Sequence, residues 1–178
     1  MNTNFFIEKI KDLDPGALKS LAEITYDVVE GGASVGFMRP FSIDKATRFW
    51  EKVKLRVEKG EVILLVARDN VRRDIIGTVQ LIIDLPENQP HRADVAKMQV
   101  LSSYRRKGVG EALLKGIELE ALNAERTLLV LDTATGSAGQ KLYAKAGWME
   151  VGVVPGFALW PDGGFCSSTF FYKQLKQI

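Results

Sequence analysis

The sequence has very few of the residues from which disulfides, zinc sites and catalytic triads are built. Its 178 residues include one cysteine, Cys166, and one histidine, His91. A lone cysteine cannot close a disulfide within the chain, and one cysteine with one histidine cannot supply a zinc site of the Cys/His kind. A Ser-His-Asp triad would have to use His91. We therefore predict no metal site, and triad chemistry is disfavoured.

Long apolar runs, a secretory signal and a strong charge bias are also absent. No run of about 18 uninterrupted apolar residues occurs, and residues 1–9 lack the apolar core and cleavage pattern of a signal peptide. The 24 basic and 22 acidic residues give a net charge of +2, which is too small to indicate nucleic-acid binding by charge alone. We expect a cytoplasmic protein, a monomer or homodimer, that binds neither membranes nor nucleic acid.

The remaining composition is that of an ordinary globular domain. Apolar residues make up 46% of the chain and charged residues 26%, and no linker, repeat or low-complexity tract divides it. A chain of this length buries enough apolar surface for a core without disulfides or metals. We therefore treat residues 1–178 as a single domain.

Strand and helix patterns alternate along the domain. Runs rich in Val, Ile and Leu predict strands, and apolar residues spaced by three and four predict helices. Strands are expected at 5–9, 62–67, 75–83, 93–101, 127–132, 149–154 and 167–173, with a break at Pro155-Gly156. Helices are expected from Asp14-Pro15 to Gly31, from Asp44 to Lys59, from Glu111 to Ala124 and from Ser137 to Gly147. The alternation predicts an α+β fold with helices on both faces of one sheet.

A basic turn that contains two glycines joins a predicted strand to a predicted helix at residues 102–110. Gly108 and Gly110 allow the backbone to approach a ligand closely, and the first amides of the following helix have no partner within it. Such a turn suits a phosphate group, and residues 102–110 are called the phosphate turn. Charge-assisted contacts to the same anion are expected from Arg105, Arg106 and Lys107.

Four other interpretations of this turn compete with a phosphate site. It is not a Walker A loop, because Glu111 follows Gly110 where Lys is required, and it lacks the third small residue of the dinucleotide fingerprint, where Leu113 stands. The basic residues alone are equally typical of a solvated helix start. With Tyr104 they could also form an RNA-contacting patch, which the near-neutral total charge disfavours.

Two motifs together resemble the GCN5-related N-acetyltransferases. They are Arg105-x-x-Gly108-x-Gly110 after a strand and, further along, Leu142-Tyr143-x-Lys145-x-Gly147-Trp148. The resemblance extends over the whole chain in element order. It implies a mixed, mostly antiparallel sheet of about seven strands and an acetyl-CoA-dependent N-acetyltransferase activity.

Within that family the chain is most similar to the tabtoxin-resistance acetyltransferases. The similarity lies in residues 31–38, 91–95, 131–133 and 161–163, together with Gly156. It implies an acceptor that is a small amino-acid-like amine, such as a tabtoxin-like β-lactam or another toxin or antibiotic. An acyl-CoA-binding regulatory module without catalysis is the alternative.

The family resemblance also implies how acetyl-CoA is held. The amides of residues 106–110 would bind the pyrophosphate, and the backbone of Val100 would pair with the pantetheine arm as an added strand. The implied cofactor-binding residues are Met98, Val100, Arg105, Arg106, Lys107, Gly108, Val109, Gly110 and Ser137. The chain departs from the family at Ser102, often Pro, at Arg106, often Gly, and at Gly136, often Asn. The last change removes the side chain that the resemblance implies for one pantetheine contact.

Acetyl transfer requires a neutral amine, yet an amine with a pKa of about 10.4 is almost wholly protonated at pH 7. A carboxylate can remove the proton directly or through a water molecule. Asp94 and Asp132 are the candidates, because one enters the strand that leads to the phosphate turn and the other ends the next strand. Aspartates near strand ends also commonly cap turns or face water. His91 is a rival base in a proline-flanked loop.

The leaving thiolate needs a proton donor, and Tyr143 is the candidate, since a phenol can protonate the thiolate of a thiol with a pKa of about 8.5. A half-buried aromatic ring with a solvated hydroxyl is the structural alternative. The backbone amide of Val100 or Leu101 could stabilise the oxyanion. Cys166 has no visible base partner, so we favour direct attack in a ternary complex over an acetylated cysteine.

The glycine-rich, apolar segment 31–38 is expected to shape the acceptor pocket, with 155–157 as the opposite wall. The implied substrate residues are Ser34, Val35, Phe37 and Phe157. A helix C-cap followed by apolar side chains packed into the core explains the same segment equally well.

Overall fold

Seven strands form one sheet in the computed structural model, which describes residues 4–176. The strands are β1 (Phe5–Ile10), β2 (Val62–Asp69), β3 (Ile75–Ile82), β4 (Arg92–Val100), β5 (Leu128–Ala134), β6 (Met149–Leu159) and β7 (Phe165–Gln174). Their order is β1-β2-β3-β4-β5-β7-β6. Only β4 and β5 are parallel, and every other neighbouring pair is antiparallel. The predicted fold class is confirmed.

Four α-helices within residues 4–176 cover the sheet. They are α1 (Pro15–Glu30), α2 (Ile43–Glu58), α3 (Val109–Asn123) and α4 (Ala138–Lys145). Side-chain caps set the starts of three of them, because an oxygen of the N-cap residue accepts from an amide of the first turn: Asp14 from Ala17 at 2.7 Å, Ser42 from Lys45 at 3.2 Å and Ser137 from Gln140 at 3.2 Å. Within the described residues no helix is long and apolar enough to cross a membrane.

Alternating side chains build a core on each face of the sheet. In β2, Leu65 and Ala67 join the core under α3, whereas Leu64 and Val66 join the core under α1 and α2. This is the period of two that a strand imposes, and it explains why the central strands have near-continuous apolar runs. Burying each such leucine contributes about 1.5–3 kcal/mol before the loss of chain entropy.

The strand β6 differs from its prediction. It does not end at Val154 but continues to Leu159 past the expected break. The prediction was wrong because the irregularity is a bulge and not a strand end: Val154 pairs with Ser168 and Ala158 with Cys166, so β6 has two more residues than β7 in this stretch. Gly156, with a φ of +63°, lies inside the bulge.

The sheet opens between its two parallel strands. β4 and β5 pair only from Arg92 to Asp94 against Leu128 to Val130. β4 is also irregular, since Thr78 pairs with Gln99 but Gln80 pairs with Ala96, which leaves an extra residue in β4 opposite β3. A parallel pair that separates in the middle of a sheet leaves a cleft, and the functional site is built there.

Candidate active site

A cavity of about 700 Å³ lies where β4 and β5 separate. Its wall is formed by the ends of both strands, the turn that follows β4, the helix α4 and part of the segment after α1. Of the residues that the sequence analysis singled out, the wall contains Ser34, Val35, Met98, Val100, Arg105, Arg106, Gly108, Val109, Gly110, Ser137 and Tyr143. Residues far apart in the chain are thus brought to one site.

The turn after β4 leaves the start of α3 open. Gly108 is the N-cap of α3 with a φ of +83°, and no side chain caps the helix. The amides of the first turn therefore lack a side-chain acceptor, and a Cβ on Gly108 would meet nothing within 4 Å. The helix begins at Val109, two residues before the predicted start, so Gly110 lies inside it. Here glycine permits close packing, because a Cβ on Gly110 would lie 3.2 Å from Leu142.

The structure shows what two departures from the family pattern change. Arg106 has a φ of +59°, a left-handed conformation that glycine adopts freely and that costs another residue roughly 1–2 kcal/mol. Ser102 donates from its backbone N at 2.8 Å and from its hydroxyl at 2.7 Å to the carboxylate of Asp27. Proline at position 102 has neither donor. Ser102 therefore fastens the phosphate turn to α1.

The outer part of the turn is held by Tyr104. Its hydroxyl donates to Asp69 at 2.8 Å. Hydrogen bonds from the Arg72 amide and from Tyr104 lower the pKa of the Asp69 carboxyl, and the bond to Asp69 raises the pKa of Tyr104. The ammonium of Lys107 lies 5.0 Å above the Tyr104 ring. Unlike Arg105 and Arg106, Lys107 is not part of the cavity wall.

Two backbone groups expected to take part in binding already have partners. The Arg105 Nε donates to the Val100 carbonyl at 3.2 Å, although a carbonyl has a second lone pair for a further donor. The Leu101 amide donates to the Ile76 carbonyl at 3.0 Å. The suggestion that Leu101 stabilises an oxyanion is therefore wrong, and its alternative, Val100, stays a prediction.

Tyr143 lies on α4 with its ring packed between Trp148 and Phe171, at centroid distances of 5.7 and 6.0 Å. Only 5% of the residue is exposed. Burial, and to a lesser extent the charge of Asp132, raise the pKa of the phenol above its ordinary value. Among residues 4–176 no group hydrogen-bonds its hydroxyl. The phenol is therefore protonated and free to donate into the cavity.

The two candidate bases have different surroundings. Asp94 lies in the paired part of β4, opposite Val130, and its two oxygens lie 2.5 and 3.4 Å from the guanidinium nitrogens of Arg92. Asp132 lies beyond the part of β5 that pairs with β4, and it accepts from the Ser168 hydroxyl at 2.8 Å. Its charge acts on Tyr143. The structure therefore groups Asp132 with the phenol and Asp94 with an arginine, and neither aspartate is part of the cavity wall.

The rival base and the rival nucleophile lie elsewhere. His91 is exposed at the start of β4, seven residues before Met98, which is about 23 Å along an extended strand. Cys166 is buried in the β6–β7 pair, opposite Ala158. Neither residue contributes to the cavity wall.

The predicted substrate residues divide into two groups. Ser34 and Val35 line the cavity, and the Ser34 hydroxyl donates to the Leu159 carbonyl at 2.9 Å. Phe37 packs instead against Phe41 and Phe49, with centroids 4.7 and 5.2 Å away, as the core-packing alternative expects. Phe157 is half-exposed and lies 5.3 Å from the Phe170 ring, outside the cavity wall.

The residues near the cleft that the sequence did not reveal include Trp160, Gln99 and Lys97. Trp160 lines the cavity just after β6, and nothing in its local sequence indicates this. Gln99 also lines it, although only 2% of the residue is exposed. Lys97 has a φ of +51°, and its ammonium lies 5.7 Å from the Phe49 ring centroid. Polar residues at 97 and 99 in a central strand were the available signal, because such strands are normally apolar.

Solved structures of the same fold cover nearly the whole chain. The structure of yncA from Salmonella typhimurium with its cofactor acetyl-CoA is similar at 19% identity, covering 98% of this chain and 96% of that one, with a TM-score of 0.77. A ribosomal-protein-alanine N-acetyltransferase from Brucella melitensis is similar at 21% identity, 96% and 99% coverage and a TM-score of 0.75. A candidate phosphinothricin N-acetyltransferase is similar at 18% identity, 97% and 99% coverage and a TM-score of 0.76.

The family model of the acetyltransferase (GNAT) domain matches residues 60–150, which is just over half of the chain. The matched segment runs from β2 to the start of β6 and includes the phosphate turn, the separated parallel strands and Tyr143. This chain belongs to the GNAT acetyltransferase family and is an acetyl-CoA-dependent N-acetyltransferase.

Proposed function

We propose that this enzyme transfers an acetyl group from acetyl-CoA to the amine of a small amino-acid-like molecule by direct attack in a ternary complex. One observation carries the proposal: a single cavity connects the uncapped start of α3 to the buried phenol of Tyr143. One end of this cavity suits a diphosphate, and the other contains a proton donor. A tabtoxin-like β-lactam amino acid, or another toxin or antibiotic with an amine, is the acceptor type that we propose.

The residues of the phosphate turn fit the diphosphate of acetyl-CoA. The amides of residues 106–110 are the anion-binding groups, because α3 has no side-chain cap and its dipole favours negative charge. Arg105 and Arg106 line the same part of the cavity and add charge. The pantetheine arm would lie along Val100, in the gap that β5 leaves when it separates from β4.

The phenol of Tyr143 is the proposed acid. Its raised pKa keeps it protonated at neutral pH, and its hydroxyl has no competing partner among the described residues. Acetyl transfer forms a bond between the acceptor nitrogen and the acetyl carbon and breaks the bond between that carbon and sulfur. The proton that Tyr143 donates then goes to the sulfur, so that coenzyme A leaves as a thiol. The acceptor nitrogen loses its second proton as the amide forms, and this proton returns to the phenolate of Tyr143.

Asp132 is the proposed base. Asp132, unlike Asp94, lies beyond the stretch in which β4 and β5 pair with each other, and its charge acts on Tyr143. The hydroxyl of Ser168 orients it at 2.8 Å. The carboxylate would take a proton from the acceptor ammonium, directly or through water, before attack. Asp94, paired with Arg92, would have to leave that ion pair to do the same.

A small acceptor is supported by the segment after α1. The bond from Ser34 to the Leu159 carbonyl joins this segment to the end of β6, and both Ser34 and Trp160 line the cavity. The structural neighbours include a candidate phosphinothricin N-acetyltransferase, which supports an amino-acid-like acceptor, and a ribosomal-protein N-acetyltransferase, which supports the competing peptide acceptor.

Release of free thiol from acetyl-CoA tests the proposal. Pools of small amino acids, β-lactam amino acids, polyamines and peptides are supplied separately, with an enzyme-free control for hydrolysis. We expect thiol release with the first two pools. Release with peptides alone would contradict the acceptor class. Tight acetyl-CoA binding by calorimetry without thiol release from any pool would instead support the acyl-CoA-binding module.

A further inference from the structure

A cation without an anionic partner lies next to the cleft. Lys97 is in β4, immediately before Met98 of the cavity wall, and is partly buried. Its ammonium lies 5.7 Å from the Phe49 ring centroid on α2, and a Cβ on Gly36 would lie 3.6 Å from its nitrogen. Among residues 4–176 no carboxylate forms an ion pair with it and no group hydrogen-bonds it.

The backbone of β4 is distorted at this lysine. Lys97 has a φ of +51°, and it lies in the stretch where β4 has an extra residue opposite β3. Such a conformation is unfavourable for a residue other than glycine, and a bulge changes the direction of the side chains that it carries. Because of the bulge, the Lys97 ammonium lies under segment 31–38. A regular strand would not direct the side chain there.

The surroundings of Lys97 disfavour the charged form of its side chain. Burial lowers the pKa of Lys97, and the charge of Asp132 opposes this effect only in part. A partly buried charge without a hydrogen-bond partner raises the free energy of the folded state. An anion that entered the site would offset this cost.

We infer that Lys97 binds the anionic group of the acceptor, a carboxylate or a group of similar geometry, beneath segment 31–38. This inference rests on the proposed function and names the acceptor class as amines that also carry an anion. The charges are complementary to such a zwitterion, because the ammonium end is attracted to Asp132 while the carboxylate end meets Lys97. Polyamines and other purely cationic amines are disfavoured by the same lysine.

Matched acceptors that differ by one carboxylate test the inference. L-Lysine and cadaverine form one such pair, L-ornithine and putrescine a second, and L-methionine and its amide replace a carboxylate by a neutral group. Initial rates of thiol release give kcat/KM for each compound. Wherever the native enzyme acetylates at least one member of a pair, we expect kcat/KM to be at least tenfold higher for the member that carries the carboxylate.

The variants Lys97→Met and Lys97→Arg separate binding from other roles. Lys97→Met is expected to reduce the carboxylate preference to about one, mainly through the acceptor KM, with the KM for acetyl-CoA unchanged. Lys97→Arg keeps the charge and is expected to retain most of the preference. If Lys97 were instead a general base, the arginine variant would lose turnover as completely as the methionine variant, which would overturn the inference.

A surface lysine provides the control. Lys52 on α2 is exposed, and Lys52→Met is expected to leave both members of each pair unchanged. Thermal unfolding of all three variants shows whether each is folded. If the native enzyme acetylates both members of a pair equally well, the role of Lys97 is contradicted but the proposed function is not. Absence of turnover with every amine contradicts the proposed function, and this inference with it.

Discussion

At the scale of single residues, the proton transfer that we propose depends on the burial of Tyr143. Tyr143→Phe removes one oxygen from a residue that is held by ring packing and has no hydrogen-bonded partner among the described residues. We expect kcat to fall by about a hundredfold, the lower range for loss of a general acid, with little change in acetyl-CoA affinity. Steady-state rates and calorimetry give the two quantities. Unchanged turnover would remove the acid role.

The raised pKa of Tyr143 has a consequence for the pH profile. A general acid works while it is protonated, so activity is lost only as the pH rises through its pKa in the folded enzyme. Burial and Asp132 place that pKa above the ordinary value of about 10. Between pH 7 and about 10 we therefore expect no decline of kcat that depends on Tyr143. In this range the pH profiles of the native enzyme and of Tyr143→Phe should have the same shape. Such a decline would mean that the phenol is not shielded as the structure has it.

Comparison of the two aspartates decides which carboxylate is the base. Asp132→Asn keeps an acceptor for the Ser168 hydroxyl but removes the charge. We expect kcat/KM for the acceptor to fall by about a hundredfold or more. Asp94→Asn is the matched control, because it neutralises the partner of Arg92 in the paired part of β4, and we expect a change of a few-fold only. The reverse order of effects in a thiol-release assay would assign the base to Asp94.

At the scale of structural elements, the phosphate turn depends on one backbone conformation. Gly108→Ala adds a methyl group where φ is +83°, and the strain costs roughly 1–2 kcal/mol. In addition it alters the turn that presents the α3 amides. We expect a several-fold loss of acetyl-CoA affinity by calorimetry, together with a melting temperature lower by a few degrees.

Gly60 provides a matched control for that strain. It has a φ of +74°, a Cβ there would meet nothing within 4 Å, and it lies in the turn after α2, outside the cavity wall. Gly60→Ala is expected to lose similar stability but no affinity for acetyl-CoA. If both variants bind acetyl-CoA equally well, the Gly108 turn is not the diphosphate site.

At the scale of the whole molecule, a buried polar group joins three elements under the sheet. The Thr25 hydroxyl on α1 accepts from the Trp50 indole of α2 at 2.9 Å and lies 2.9 Å from the side-chain oxygen of Gln99 in β4. Thr25→Val preserves the shape but leaves the indole N–H buried without an acceptor. We expect a loss of about 1–3 kcal/mol in the free energy of unfolding, measured by denaturant titration.

Thr47→Val is the control for this effect. Thr47 on α2 makes the same type of bond, to the carbonyl of Ile43 four residues earlier, as Thr25 makes to Leu21, but Thr47 lies at the surface. Its substitution is expected to change stability by less than about 0.5 kcal/mol. Equal effects of the two substitutions would show that the network does not join the elements energetically.

The parts of the molecule that depend on nearby residues were predictable from the sequence. The caps Asp14, Ser42 and Ser137 act within their own first turns, although only Asp14 and Ser137 were recognised, and the second helix was expected to start at Asp44. The phosphate turn is a run of consecutive residues between a strand and a helix, so its place in the fold is visible in the linear order. The fold class followed from the alternation of helical and strand periods. These features depend on local geometry, which the sequence encodes directly.

The acceptor side of the site was decided by the tertiary structure alone. Which of Asp94 and Asp132 lies beyond the paired stretch depends on where β4 and β5 separate. The Leu101 amide already has an acceptor because it donates to the Ile76 carbonyl of β3. The position of Lys97 near Phe49 requires a bulge in one element and a helix from another. Such contacts join residues distant in the chain, and their distances are set by how the sheet twists and opens, which no local pattern records.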